Sequence, residues 1–422
     1  MARDLHRAID AVWRMESARI IGALARRVRD VGLAEELAQD ALVAALEHWP
    51  TDGIPDNPGA WLMTTAKNRA LDRLRQLALH RAKQEELGAD ADARGDHVVP
   101  DFSDALDDAN DIGDDLLRLV FTACHPVLSR EAQVALTLKL LAGMSTAEIA
   151  RAFLQPEPTI AQRIVRAKRT LGDARVPFEL PRGDGLRERL AAVLEVVYLI
   201  FNEGYAATAG DDWTRPALCD EALRLGRILA QLAPDAAEVH GLVALMEIQA
   251  SRMAARLDAD GKPILLLAQD RSRWDPLLIG RGLAALARAQ QFEGEPGPYQ
   301  LQAAIAACHA RARTPEATDW PGIVALYSEL MACTPSPVVE LNHAVAVSMA
   351  AGPVAALALV DGLVAGGRLA RYHLLHAARG DLLVRLDRHA EAVAEFERAA
   401  ALTANEREKA LLLERARAAR TR

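Results

Sequence analysis

Cysteine is scarce in this 422-residue chain, and the four that occur, Cys124, Cys219, Cys308 and Cys333, stand far apart with no CxxC spacing. Their placement excludes a disulfide framework and a cysteine-built zinc site, and it fits a reducing compartment, the cytoplasm. Aromatic residues make up only 4% although 51% of the chain is apolar, so the apolar mass is mostly Ala, Leu and Val. Such side chains suit closely packed helices better than a β-sandwich, which draws on aromatic and β-branched residues. Long hydrophobic runs are missing too. The uncharged stretch from Ala344 to Val360 is broken by Gly352-Pro353 and built from small residues, so two packed helices with a turn between them are expected, not a membrane span. The N-terminal MARDLHRAID is charged from its third residue and has no apolar core segment, so no secretory signal is expected. A GxxxxGK[ST] phosphate loop and an HExxH motif are both absent. The adjacent pairs Cys124-His125 and Cys308-His309 diverge on a helix, and His373 with His376 is an i,i+3 pair lacking a nearby carboxylate motif. Neither an enzyme nor a metal or other cofactor is expected.

The net charge of −8 speaks against a nucleic-acid partner until it is divided along the chain. Residues 1–84 carry 13 Lys/Arg against 11 Asp/Glu, residues 85–115 carry 1 against 12, and residues 116–175 carry 9 against 4. Two mildly basic blocks therefore flank a strongly acidic connector.

The first block is expected to be helical throughout. Ile20, Ile21, Leu24, Ala25 and Val28 recur at helical spacing, as do Leu37, Ala41, Leu42, Ala45 and Leu46 before Trp49-Pro50, where the helix is expected to stop. The turn-rich TDGIPDNPG, residues 51–59, reads as a loop opening a further helix whose one face carries Lys67, Arg69, Arg73 and Arg75. The connector, 85–115, reads as a flexible linker with order returning at Leu116. Ser145-Thr146-Ala147-Glu148 has the form of a capping box opening a short helix, and a turn through Pro156 leads to the basic helix PTIAQRIVRAKRTL. Helix, short turn and basic helix is the outline of a helix-turn-helix whose second member enters the major groove.

Beyond Pro181 the chain is a long series of Ala- and Leu-rich helices with Pro- or Gly-marked turns. The 34-residue tetratricopeptide (TPR) template fits parts of it: Gly380, Leu383, Ala392, Phe396 and Ala399 in one unit, and Ala222, Leu229 and Pro234 in another with Gly226 where an aromatic is usual. A TPR-like α-solenoid is expected over 176–422, with a merely helical domain as the alternative.

At this point 1–175 resembles a known family, the extracytoplasmic-function (ECF) sigma factors of bacterial RNA polymerase. AEELAQDALVAALEHW followed by NPGAWLMTTAKNRALDRLRQ is similar to sigma region two, and LSREAQVALTLKLLAGMSTAEIARAFLQPEPTIAQRIVRAKRTL is similar to sigma region four, with no block like regions one or three. The resemblance implies an all-α chain of four parts: a region 2-like domain over 1–84, an acidic linker over 85–115, a region 4-like helix-turn-helix over 116–175 and a helical C-terminal domain. It implies core RNA polymerase and promoter DNA as partners and no membrane. Glu35, Glu36, Gln39 and Asp40 are then expected to dock on the polymerase. Trp61, Lys67, Asn68, Arg69 and Arg73 are expected at the minus-ten element, where melting needs phosphate neutralisation and pockets or stacking surfaces for an extruded base. Thr159, Gln162, Arg163, Arg166, Lys168 and Arg169 are expected at the minus-thirty-five element, where Gln pairs with adenine, Arg with guanine and the remaining cations with phosphate. Two residues depart from the family pattern: Pro158 stands where Gly is common, and Ala161 where a basic residue is common. The family linker threads the polymerase's basic cleft, which the acidic connector suits as a mimic of nucleic acid.

Two C-terminal segments, VVYLIFNEGYAAT and AQDRSRWDPLLIGRG, resemble the extension of an ECF subgroup that carries a fused TPR-type domain. Asn202, Glu203, Tyr205, Asp270, Arg271, Arg273, Trp274 and Asp275 are candidates for one regulatory surface taking a protein or small-molecule regulator, or for an internal polar network fixing helix packing. Two other classes stay open: a helix-turn-helix regulator with a TPR sensor acting without polymerase, and a TPR scaffold.

Overall fold

The computed structural model describes residues 2–87, 109–153, 155–181, 184–207, 209–210 and 212–421, and it divides into two compact units, residues 1–196 and 197–422. Eighteen α-helices account for nearly all of the regular structure among the described residues. Most of the acidic connector, residues 88–108, lies outside the described residues.

In the first unit three long helices, α1 (Ala2–Val28), α2 (Val31–Asp52) and α3 (Pro58–Leu87), precede four shorter ones, α4 (Ala109–Ala123), α5 (Arg130–Leu140), α6 (Thr146–Ala152) and α7 (Glu157–Asp173). Helix α1 buries Ile9, Ile20, Ile21, Leu24 and Ala25, and it packs on α2, α3 and α4. Close approach to α4 requires Gly22, because a Cβ there would stand 3.1 Å from the Asp115 carbonyl oxygen. Asp30 caps α2 by accepting from the Leu33 N–H at 2.9 Å. The expected stop at Trp49-Pro50 comes two residues late: Pro50 lies inside α2, which ends at Gly53 with φ 85°. Proline is tolerated there because only the last turn follows it, and glycine supplies the positive φ that ends the helix. Helix α4 begins at Ala109, inside the segment expected to be linker, and Asp115 is buried in it.

The expected capping box opens α6. The Glu148 N–H donates to Ser145 Oγ at 3.2 Å, and the Glu148 carboxylate accepts from the Ser145 N–H at 2.8 Å. Helix α7 follows a short turn and turns Ile160, Ile164, Ala167 and Leu171 into the core, an i, i+4, i+7, i+11 stripe.

Helix α8 (Asp184–Tyr205) runs through the division between the units. In the second unit ten helices follow: α9 (Pro216–Leu232), α10 (Ala237–Ala250), α11 (Pro276–Ala289), α12 (Pro298–Arg311), α13 (Trp320–Cys333), α14 (Pro337–Ala350), α15 (Pro353–Gly366), α16 (His373–Val384), α17 (His389–Leu402) and α18 (Glu406–Arg420). Five of them open on proline, whose fixed φ suits a first helical position and whose missing N–H costs nothing there, and α13 has Pro321 second. Ala344 to Val360 does form two helices, α14 and α15, turning at Gly352 with φ 95°. The close pairing of α16 and α17 rests on Gly380, where a Cβ would stand 2.7 Å from the Phe396 ring. Between α10 and α11 residues 251–275 are irregular, with three single 3₁₀ turns.

Two short parallel strands, β1 (Ala209–Gly210) and β2 (Ala404–Asn405), join the head of this unit to its tail. Asn405 is buried, and its amide donates to the carbonyls of Ala207 at 3.0 Å and Asp212 at 2.9 Å while its oxygen caps α18. Among the described residues no helix is long and apolar enough to cross a membrane.

Candidate nucleic-acid and polymerase interface

Helix α7 is the basic helix of the helix-turn-helix. Opposite its buried stripe, Thr159, Gln162, Arg166 and Arg169 are exposed, so one face offers a hydroxyl, an amide and two guanidinium groups to solvent. Arg163 sits at the edge of this face, half-buried, near enough to Glu131 to help hold that carboxyl below its ordinary range; Glu131's own backbone bond and Ser129 contribute more. Lys168 turns to the other edge, toward α2.

The residues expected at the minus-ten element differ in exposure along α3. Asn68, Arg69 and Arg73 are exposed. Trp61 is half-buried, packed edge-on against the buried Trp49 at 5.5 Å, so this ring serves the packing of α3 on α2. Lys67 is half-buried as well, and burial, with Arg27 and Arg26 of α1 nearby, lowers its pKa.

The residues expected to dock on polymerase also divide. Glu36 and Asp40 are exposed on α2. Glu35 is only 2% exposed and accepts from Lys168 of α7 at 2.7 Å and from the Gln39 amide at 2.6 Å, with Lys139 of α5 at 3.7 Å. A buried carboxylate is tolerable when cations and hydrogen bonds surround it in this way. The region 2-like and region 4-like helices are thus packed on each other. Two further ion pairs reinforce the packing: Arg14 of α1 with the capping-box Glu148 of α6, and Arg26 of α1 with Asp115 of α4 at 3.4 Å. Nothing in the residue pattern of α2 marks Glu35 as different from Glu36; only the partner helix does.

In the second unit the two conspicuous segments meet through an arginine that sequence reasoning missed. The Arg252 guanidinium stands 5.7 Å from the Tyr205 ring and 5.7 Å from the buried Trp274 ring, and it donates to the Tyr205 hydroxyl at 2.6 Å. Arg256 lies 3.6 Å over the other part of this cluster, the Tyr205 ring, and 5.9 Å from Trp213. Arg271 donates to the carbonyls of His309 and Ala312 and to the Thr318 hydroxyl. The remaining candidates serve the local fold. Asp270 and Asp275 cap the turns they precede, Glu203 pairs with Arg215, and Asn202 and Arg273 are exposed. An SRMAAR run between two apolar helices was the only available signal for Arg252 and Arg256. His373 and His376 each have a carboxylate, Glu408 at 2.9 Å and Glu395 at 2.7 Å, which the sequence reading did not anticipate. Among the described residues no group of three or more His, Cys, Asp or Glu is placed to hold a metal.

Residues 13–79 match sigma-70 region 2, residues 118–171 match sigma-70 region 4, and residues 189–290 match a family of unknown function (DUF6596). The first unit is therefore a pair of sigma-70 domains. The chain is 46% identical over 393 residues to an uncharacterized protein of Rhizobium meliloti, covering 93% of this chain and 91% of that one. It is 32% identical over 158 residues to the ECF RNA polymerase sigma factor SigK of Mycobacterium ulcerans, covering 36% of this chain and 78% of the relative. It is 27% identical over 173 residues to the probable ECF RNA polymerase sigma factor SigI of Mycobacterium tuberculosis, covering 40% and 57%. No solved structure matches. The chain belongs to the ECF sigma factors and carries a long C-terminal extension. This family consists of transcription factors, not enzymes.

Proposed function

We propose that the chain directs core RNA polymerase to promoters in two places and that its C-terminal domain, read as TPR-like, controls this in cis. In this reading α7 meets the minus-thirty-five element through Thr159, Gln162, Arg163, Arg166, Lys168 and Arg169. Trp61, Lys67, Asn68, Arg69 and Arg73 serve the minus-ten element, and Glu35, Glu36, Gln39 and Asp40 dock on polymerase. The observation that carries the reading is the polar, cationic face of α7, exposed opposite a buried stripe in a region 4 domain.

The ion pair between Glu35 and Lys168 adds a condition. The two promoter elements are separated by about 25 base pairs, roughly 85 Å of duplex at ~3.4 Å per step. Two surfaces joined by a 2.7 Å ion pair cannot occupy both. The packed first unit is a resting form, and working on a promoter requires α2 and α7 to separate.

Run-off transcription with core polymerase tests the reading. Arg166→Ala and Arg169→Ala in the full chain are expected to reduce initiation about tenfold each at a promoter with a minus-thirty-five element, from ~1–3 kcal/mol per base or phosphate contact. Unchanged initiation in both removes α7 from promoter recognition. A gel shift separates the repressor alternative, since a sigma factor needs polymerase to bind promoter duplex well. For control in cis the comparison is with a chain ending after α8, because Arg130 pairs with Glu195 and Arg189 donates to the Phe121 carbonyl. Identical output under every condition tested excludes control by the C-terminal domain.

A further inference from the structure

Among the buried and half-buried arginines described in the second unit, charge is compensated by carboxylates except at one place. Eight of its described arginines are buried or half-buried. Five of them pair with carboxylates: Arg215 with Glu203, Arg224 with Glu221, Arg227 with Glu247, Arg379 with Asp361 and Glu395, and Arg415 with Asp381. The other three, Arg252, Arg256 and Arg271, have no carboxylate within ion-pair distance among the described residues, and these three stand together. Their hydrogen-bond and ring partners are neutral, namely Tyr205, Gln249, two backbone carbonyls, Thr318 and the faces of Trp213, Tyr205 and Trp274, and the exposed Glu316 acts only on Arg271 from beyond ion-pair distance.

The donors here exceed the acceptors. The Nε atoms of Arg252, Arg256 and Arg271 and the indole nitrogen of Trp274 are buried donors without a hydrogen-bond partner; Nδ1 of His309, donor or acceptor by tautomer, and the Gln269 amide oxygen, an acceptor, are unpartnered too. Burying one unpaired donor costs on the order of 1–3 kcal/mol, and buried charge costs more. The like charges also oppose one another. Burial pulls Arg252 below its ordinary pKa and Arg256 adds to this, with Tyr205 working against both; burial, Arg252 and Arg271 together push His309 down to about 4. Aromatic faces recover part of the cost, since a guanidinium over a ring gains about 0.5–2 kcal/mol, but they accept no hydrogen bond in the ring plane.

We propose that this cluster is a binding site for a small oxyanion, the phosphate or carboxylate group of a metabolite, held by Arg252 and Arg256 with the Tyr205 hydroxyl. Guanidinium groups match both anions with parallel N–H donors. Tyr205 already accepts from Arg252, so its own O–H is left to donate. Burial restricts the occupant to a small group: Arg256 is 7% and Trp274 4% exposed, which excludes a polyanion lying along a surface. The irregular backbone of residues 251–275 contributes Arg252, Arg256, Arg271 and Trp274. The proposed consequence, that occupancy alters transcription, rests on the reading that the C-terminal domain acts in cis; binding itself does not.

The test is thermal unfolding and titration calorimetry of the full chain in a low-salt, phosphate-free buffer, with inorganic phosphate and citrate as separate probes and chloride at matched ionic strength as control. At a probe concentration a hundred times its Kd, the melting temperature is expected to rise by about 5 °C. A rise with phosphate alone assigns a phosphorylated ligand, and a rise with citrate alone a carboxylate. Arg256→Gln is expected to raise the melting temperature without probe and to weaken binding at least tenfold. Tyr205→Phe, which keeps the ring beneath both arginines, is expected to weaken it about fivefold and serves if the Arg256 variant does not fold. No rise beyond chloride with either probe, or an equal rise in both variants, overturns the site. Run-off transcription with and without the probe that binds separates the two readings. Binding without effect on transcription leaves the site and removes cis control through it; truncation that changes transcription in a chain that binds neither probe does the reverse.

Discussion

Two buried charged clusters in this molecule are built on opposite terms. Around Glu35 a single carboxylate is shared by Lys139, Lys168 and Gln39, so the charge is answered from three sides. Around Tyr205 two guanidinium groups share one ring and no carboxylate, and Arg271 stands one tryptophan further on. The first cluster is complete and joins two helical domains. The second leaves buried donors unpaired among the described residues. Buried charge is therefore not one kind of evidence: with partners of opposite charge it describes packing, and stacked on rings with unpaired donors it marks a candidate for binding.

The comparison breaks first at Glu35. Glu35→Ala removes the shared partner of two lysines and is expected to cost the first unit about 3 kcal/mol in a denaturant titration, with faster amide exchange in α2 and α7. If stability is unchanged, the first cluster is no tighter than a surface ion pair.

Acid should act on the second cluster next. His309 titrates near 4 in the folded chain against an ordinary 6.5, so between those values the folded state binds fewer protons than the unfolded state. Stability then falls as pH drops from about 6.5 toward 4, by up to ~3 kcal/mol, and His309→Gln removes this part of the acid dependence. A bound oxyanion would raise the His309 value and flatten the same curve, which an unfolding series run with and without phosphate would show.

Arg256→Met is expected to change stability by about 1 kcal/mol in the stabilising direction, because a like charge leaves and a long apolar chain still covers Tyr205. Opposite signs for Glu35→Ala and Arg256→Met are the sharpest form of the contrast. Last comes Ser145→Ala, which removes the side-chain half of the capping box and leaves Glu148 with Arg14. About 1 kcal/mol is expected by thermal unfolding.

Much of this arrangement is legible in the residues themselves. The capping box at Ser145, the buried stripe of α7 and the turn at Gly352 follow from local rules, and local rules act within one or two helical turns. The end of α2 was misplaced by two residues because a proline in a last turn breaks nothing that later residues need. Glu35 and Trp61 show how little a single helix reveals: Glu35 meets Lys168 from a helix far away in sequence, and Trp61 packs on Trp49 of the preceding helix. Arg252 and Arg256 escaped notice for another reason. Arginine is normally a surface residue, and no spacing rule announces that two of them will be buried around one tyrosine.

The joint at Asn405 gives the C-terminal domain a property that rows of helix pairs lack. A row can lose or gain a pair at its end with little effect on the far end, since each pair leans only on its neighbours. Here the cap of the last helix is also the fastening of the loop that follows Tyr205. The domain is a buckled belt: a deletion that removes Asn405 with the last helix also unfastens the loop at its head.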